Sequence, residues 1–134
     1  MREIKFRGRV DERRPSMEGQ WVYGSIVTQD QYAPYIRTIT LEYIGVDEKT
    51  VGQYIGRKDK KHREIYEGDL VKDSNNYVYR VVYNEYFASF GLRRKQDAYM
   101  HYFGEAFESE DCEIIGNVHD NPKLLKEGDG DNDK

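Results

Sequence analysis

The scarcest residues set the first limits. One cysteine, Cys112, stands among 134 residues, which excludes an intrachain disulfide and a cysteine-rich zinc site and fits a reducing cytosol. Long apolar runs are also missing. The opening MREIKFRGRV is broken by charge throughout, so neither a signal peptide nor a membrane span is expected, and a cytoplasmic setting is. Positive charge is not in surplus. The net charge of -4 argues against a protein that holds nucleic acid by its overall field. Half of that charge lies in the stretch 126–134, KEGDGDNDK, which is expected to be a disordered acidic tail. No apolar 3.6-residue period runs long enough for a substantial helix, and no internal repeat is found.

What remains is aromatic and β-forming. Hydrophobic residues make up 37% against 34% charged, so a core must draw on the 12 Tyr and 5 Phe, within one domain over residues 1–125. Ile4, Phe6, Gly8 and Val10 alternate with Lys5, Arg7 and Arg9, as in a strand with one buried and one wet face. The charged turn Asp11 to Gly19 leads to a second run, Trp21 to Val27, expected to pair with the first. Pro34 marks Gln31 to Tyr35 as edge or loop, because proline donates nothing to a ladder. Ile39 to Val46 reads as a strand, and so does Tyr77 to Phe87, with Tyr77, Tyr79, Val81 and Tyr83 on one face. A hairpin is expected from Phe90 to Phe103 around Arg94 to Asp97, then a helical turn within Ala106 to Glu113 and a last strand, Glu113 to Val118. The pattern implies an all-β pseudo-barrel or sandwich of two packed antiparallel sheets, with many short turns and little helix.

The densest stretch is Thr50 to Val71, TVGQYIGRKDKKHREIYEGDLV. Gly52, Gly56 and Gly68 punctuate it, and Glu67-Gly68-Asp69 places a residue permissive of positive φ before an aspartate able to bond the backbone, a structural corner. Asp59-Lys60-Lys61-His62 falls where a hairpin loop would lie.

The run TVGQYIG, the charged loop and EIYEGDLV together resemble the signature of the YopX-like family of phage and prophage proteins. The opening MREIKFR and the close EIIGNVHDNPKLL are similar to that family's ends. Lys61-His62-Arg63 stands where members usually carry a glycine, which implies a loop wider than two residues. The resemblance implies a pseudo-barrel of two sheets and a phage or prophage origin. It implies no activity, since the family brings no catalytic residues to carry over.

Several residues are candidates for chemistry. Arg57, Lys58, Lys60, Lys61 and Arg63 surround Asp59 and give a local +4 suited to phosphates, set against the ordinary reading of a solvated hairpin tip. The tyrosine stripe, with Tyr86 and Phe87 beyond, suits base stacking or, more simply, a core. His62, His101 and His119 lack ligand spacing, so no metal or cofactor is expected. A His101–Cys112 nucleophile pair has no motif behind it. Glu64, Glu67 and Asp69 suggest a metal-dependent hydrolase, or corner-making. The preferred reading is a non-enzymatic accessory module binding an unknown phage or host macromolecule, a protein before nucleic acid. An edge strand at Tyr32 to Ile36, or the Tyr-rich stretch, offers a homo-oligomer as a third reading.

Overall fold

The computed structural model describes residues 2–94 and 99–124. Among them the chain forms ten strands: β1 Phe6–Arg9, β2 Trp21–Gln29, β3 Tyr32–Arg37, β4 Tyr43–Gly45, β5 Gly52–Lys58, β6 Glu64–Tyr66, β7 Asp69–Lys72, β8 Val78–Asn84, β9 Ser89–Arg93 and β10 Glu113–Asn117. Single 3₁₀ turns occupy Pro15–Met17, Glu48–Thr50 and Ser109–Asp111, the last within the expected helical turn. One sheet reads β4-β3-β2-β1-β5-β6 and the other β10-β7-β8-β9. The all-β class, the two antiparallel sheets and the scarcity of helix stand as the sequence implied. Neither strand order returns on itself, so neither sheet is a closed barrel. The expected turn Arg94 to Asp97 and the tail 126–134 lie largely or wholly outside the described residues.

Contacts cluster in two units, residues 1–54 and residues 55 onward. In the first, Val10, Val22, Ile36, Ile44 and Val46 form the core, with Phe6, Met17, Ile26 and Val51 packed against it. β1 and β2 pair as expected, Arg9 facing Trp21 and Phe6 facing Gly24. Gly8 has no side chain because Val46 fills the space: a Cβ there would lie 2.9 Å from the Val46 Cβ. The wet face of β1 is not wet throughout. Arg7 is buried, its guanidinium 4.7 Å from the centre of the Trp21 ring, because a planar cation can cover an indole while its stem packs as hydrocarbon.

Two strand assignments need correction here. Of the Gln31 to Tyr35 stretch expected as edge or loop, all but Gln31 lies in β3, between β2 and β4. Pro34 sits where the β2–β3 register shifts, Ala33 and Pro34 together facing Thr28, and just past the last β3–β4 pair, where its carbonyl accepts from Val46 N at 3.1 Å and Arg13 Nη2 approaches the Val46 carbonyl at 3.5 Å. Ile39 to Val46 yields only the three-residue β4. Its first half is a turn in which Ile39 is 96% and Leu41 63% exposed, so β-propensity was overridden by turn geometry.

In the second unit the core is Ile65, Val71, Tyr79, Val81, Leu92 and Cys112, with Ile55, Phe103, Phe107 and Ile114 against it. The tyrosine stripe of β8 divides. Tyr79 and Val81 are buried, whereas Tyr77 and Tyr83 are exposed at the two ends. Instead of a strand beyond β9, a single bridge joins Leu92 and His101 through reciprocal bonds of 2.7 and 2.8 Å. β10 matches the expected last strand and pairs with β7, bulging between Ile114 and Gly116.

Candidate functional site

Three hairpin connections are built alike, and the basic loop is one of them. They are Thr38 to Glu42, Asp59 to Arg63 and Asp73 to Tyr77. In each, the first N–H donates to the fifth carbonyl and the fourth N–H to the first carbonyl, all at 2.9–3.0 Å. The fourth residue is left-handed in every case: Leu41 at φ 67°, His62 at 64° and Asn76 at 69°. A side-chain oxygen of the first residue accepts the fifth N–H, at 3.2 Å for Thr38 and 2.9 Å for Asp59 and Asp73. This is a three-residue hairpin loop with a left-handed closing residue. His62 therefore occupies the position that favours glycine, and the loop is wider than two residues.

Asp59 is fully buried despite its charged neighbours. Its carboxylate accepts Lys61 N and Arg63 N at 2.9 Å, Ile114 N at 3.0 Å and Arg63 Nε at 3.1 Å. Desolvation pushes its pKa up, but the bonds from Ile114, Arg63 and Lys61 outweigh it and hold the carboxyl below its ordinary value. Arg63 Nη2 donates to Ile114 O at 2.7 Å, and Lys60 N to Cys112 O at 2.9 Å. The loop thus runs along the outer side of β10, the last strand of its sheet, and occupies an edge that would otherwise offer backbone groups to another chain.

The five candidate cations consequently have different surroundings. Lys61 pairs with Glu113 at 2.9 Å, Lys60 at 3.7 Å and Arg63 at 4.0 Å. Lys61 bonded to Glu113 lowers that carboxyl's pKa. Arg57 lies apart, 5.9 Å from the Phe103 ring centre, and Lys58 is exposed. Of the motif residues, Gly56 at φ 89° and Gly68 at 95° need glycine's freedom, while Gly52 is buried and pairs with Arg7.

The acids do not converge. Buried Asp69 accepts Tyr66 N at 2.7 Å across the β6–β7 corner, and Glu64 accepts the Tyr66 hydroxyl at 3.0 Å. Among the described residues no three His, Cys, Asp or Glu side chains are grouped to hold a metal ion. An open cavity of about 530 Å³ lies in the first unit, lined by Asp11, Glu12, Glu18, Asp47 and Glu48 with Arg9 and Lys49, and includes none of Glu64, Glu67 and Asp69. Two of its carboxylates are engaged locally, Asp11 by Arg13 and Asp47 by Lys49 N. Cys112 is buried; its Sγ donates to Ser109 O at 3.1 Å, and burial pushes the thiol pKa up to about 12, which removes it as a nucleophile near neutrality. His101 packs edge-on against Tyr79, 5.7 Å between ring centres.

One feature escaped the sequence reading. Arg13, inside the turn between β1 and β2, binds Asp11 at 2.9 Å, donates to Ala33 O and Pro34 O at 3.2 and 2.8 Å, and lies 4.3 Å over the Tyr35 ring. A Cβ on Gly45 would collide with its guanidinium. Only the folded chain joins these residues, so no local signal marks them. Tyr86 and Phe87, expected at the end of a strand, instead form the tip of the β8–β9 hairpin, because β8 ends at Asn84. Tyr86 and Phe87 are 88% and 65% exposed and meet edge-to-face at 4.9 Å, and Tyr83 meets Phe90 at 5.2 Å. Asn84 Oδ1 accepts Tyr86 N at 2.9 Å and so orders the tip.

No helix among the described residues is long and apolar enough to cross a membrane. A search of curated proteins returned no match. The family model described as YopX protein matches residues 5–126, spanning the three like turns, the β8–β9 tip and the β10 edge, and the chain belongs to that family.

Proposed function

We propose that this YopX-family protein is a non-enzymatic, phage-type accessory module that works in the cytoplasm of a host cell and binds another macromolecule, a protein in preference to nucleic acid. The supporting observation is the β8–β9 tip, where Tyr83, Tyr86 and Phe87 stay exposed on an ordered hairpin. Aromatic side chains supply large contact area at low entropic cost and are enriched in protein interfaces. The Arg57 to Arg63 loop is the second candidate surface, favoured by its exposed lysines. A phosphate there has to compete with Glu113 for Lys60, Lys61 and Arg63. A hydrolase on Glu64, Glu67 and Asp69 has less support, since Glu64 and Asp69 both serve Tyr66.

The test is recovery of the tagged chain from host cells, with and without nuclease, alongside Tyr86→Ser/Phe87→Ser and Lys60→Ala/Lys61→Ala. A protein partner that survives nuclease and is lost with the aromatic pair supports the proposal. Partners that vanish with nuclease and depend on the lysines refute it in favour of nucleic acid.

A further inference from the structure

The three like turns act as internal controls, and one departs from the others. The loops of two carry polar residues, Lys60-Lys61-His62 and Ser74-Asn75-Asn76, whereas the third carries Ile39-Thr40-Leu41. Asn and His enter the left-handed region more readily than most side chains, but a leucine there is uncommon and strained. The strain obtains no burial in return: Ile39 is 96% and Leu41 63% exposed, and Tyr43, next on the same chain, is 58% exposed. The turn is nonetheless tightly organised. Thr38 Oγ1 lies 2.9 Å from Thr40 Oγ1 and accepts Glu42 N at 3.2 Å. An ordered, strained, apolar tip is an outlier that points to contact with something.

The backbone and the charges point to what that is. In the β3–β4 ladder, Thr38 bonds Glu42 and Pro34 bonds Val46, so the alternation turns the N–H and C=O of Tyr43 away from β3. β4 is the end of its sheet, and among the described residues no strand follows on that side. Asp11 N already takes the carbonyl of Gly45, so room is left for pairing at Tyr43 alone. A two-fold axis through that residue would set one Tyr43 N–H against the partner copy's Tyr43 C=O and the reverse, a self-complementary pair. The tip itself is uncharged, and Glu42 at its base is bound by Arg14 at 3.2 Å. The uncharged tips of two copies meet without like-charge repulsion, while exposed Arg37, opposite Tyr43 in the ladder, is a cation that an anionic partner would share.

From this we infer that the Thr38 to Glu42 turn and the outer edge of β4 form a self-association surface, on which two copies meet with Ile39, Leu41 and Tyr43 packed together. This surface lies in the first unit and is independent of the β8–β9 tip. With few large side chains per copy it falls below the roughly 1,200 Å² of stable interfaces, so the dimer is weak, with Kd on the order of 0.1–1 mM.

Sedimentation equilibrium of the full chain from about 10 µM to about 1 mM tests it. The weight-average mass is expected to rise toward the dimer across that range. Ile39→Asp should remain monomeric throughout with unchanged melting, since Ile39 is almost wholly exposed. Leu41→Gly should weaken association about tenfold and yet melt higher, which separates the contact from the fold. A wild type that stays monomeric to the top of the range overturns the inference, as do variants that associate like wild type. A parallel incubation with phosphatidylglycerol vesicles names the rival occupant: vesicle binding lost in Ile39→Asp, without self-association, assigns the tip to lipid and overturns the dimer.

Discussion

The turns at Asp59 to Arg63 and at Thr38 to Glu42 have the same backbone and opposite fates. One is crowded with charge and is folded back on its own chain: Asp59 is buried, Arg63 reaches Ile114 O, and Lys60 N bonds Cys112 O beside the edge of β10. The other has an uncharged tip and leaves two large aliphatic side chains in water. In a sequence, a cluster of cations around one acid attracts attention as a binding site. Here the acid organises the cations, and the turn covers a strand edge with charge in the way antiparallel sheets avoid unwanted pairing. β4 is also partly guarded, by Asp11 and Arg13, but its guard stops at Gly45.

The largest effect should come from removing the acid. Asp59→Ala strands four donors around a buried site, and we expect a loss of about 3 kcal/mol in urea denaturation. Thr38→Val at the equivalent position loses a long bond to Glu42 N and an exposed one to Thr40 Oγ1, and should cost about 0.5–1 kcal/mol. Equal losses at the two sites would break the comparison.

Acid should sharpen it. Asp59 and Asp11 both have depressed folded-state pKa values, Asp59 because hydrogen bonds outweigh desolvation and Asp11 chiefly through its bond to Arg13. A depressed carboxylate contributes stability that is present above its unfolded pKa of about 4 and is lost as pH falls through the folded value. Stability should decline below about pH 4, and Asp59→Asn should flatten that slope. An unchanged slope would remove Asp59 from the account.

The left-handed positions give the smallest effects, in a fixed order. Replacement by glycine relieves roughly 0.5–1 kcal/mol of strain at Leu41, less at His62 and close to none at Asn76, readable as melting shifts. Cys112 supplies a separate check on the β10 region. With its thiol buried and its pKa pushed up to about 12, it should react with a maleimide near pH 7.5 only at the rate of opening.

Much of the architecture was legible because it rests on local rules. Alternation placed β1, apolar runs placed β2 and β10, and Gly56 and Gly68 fell where φ is positive. Pro34 misled because it falls at a bulge in β3, where Ala33 and Pro34 face Thr28, a residue-pairing fact. Ile39 and Leu41 misled because their β-propensity matched a strand while their hydrogen bonds made a turn. The tyrosine stripe was half right, since a strand longer than its cover buries its middle and exposes its ends. Asp59 was invisible as an anchor: its decisive donor, Ile114 N, is 55 residues away.

Amide hydrogen exchange on the two edge strands tests the central claim most directly, because it reads both edges in one sample. If the Asp59 to Arg63 turn clamps β10 and the guard on β4 ends at Gly45, then in dilute solution Ile114 N–H is strongly protected and Tyr43 N–H is not. Asp59→Asn should release Ile114 alone. Comparable exchange at Ile114 and Tyr43, or an Ile114 amide indifferent to Asp59→Asn, would contradict the account.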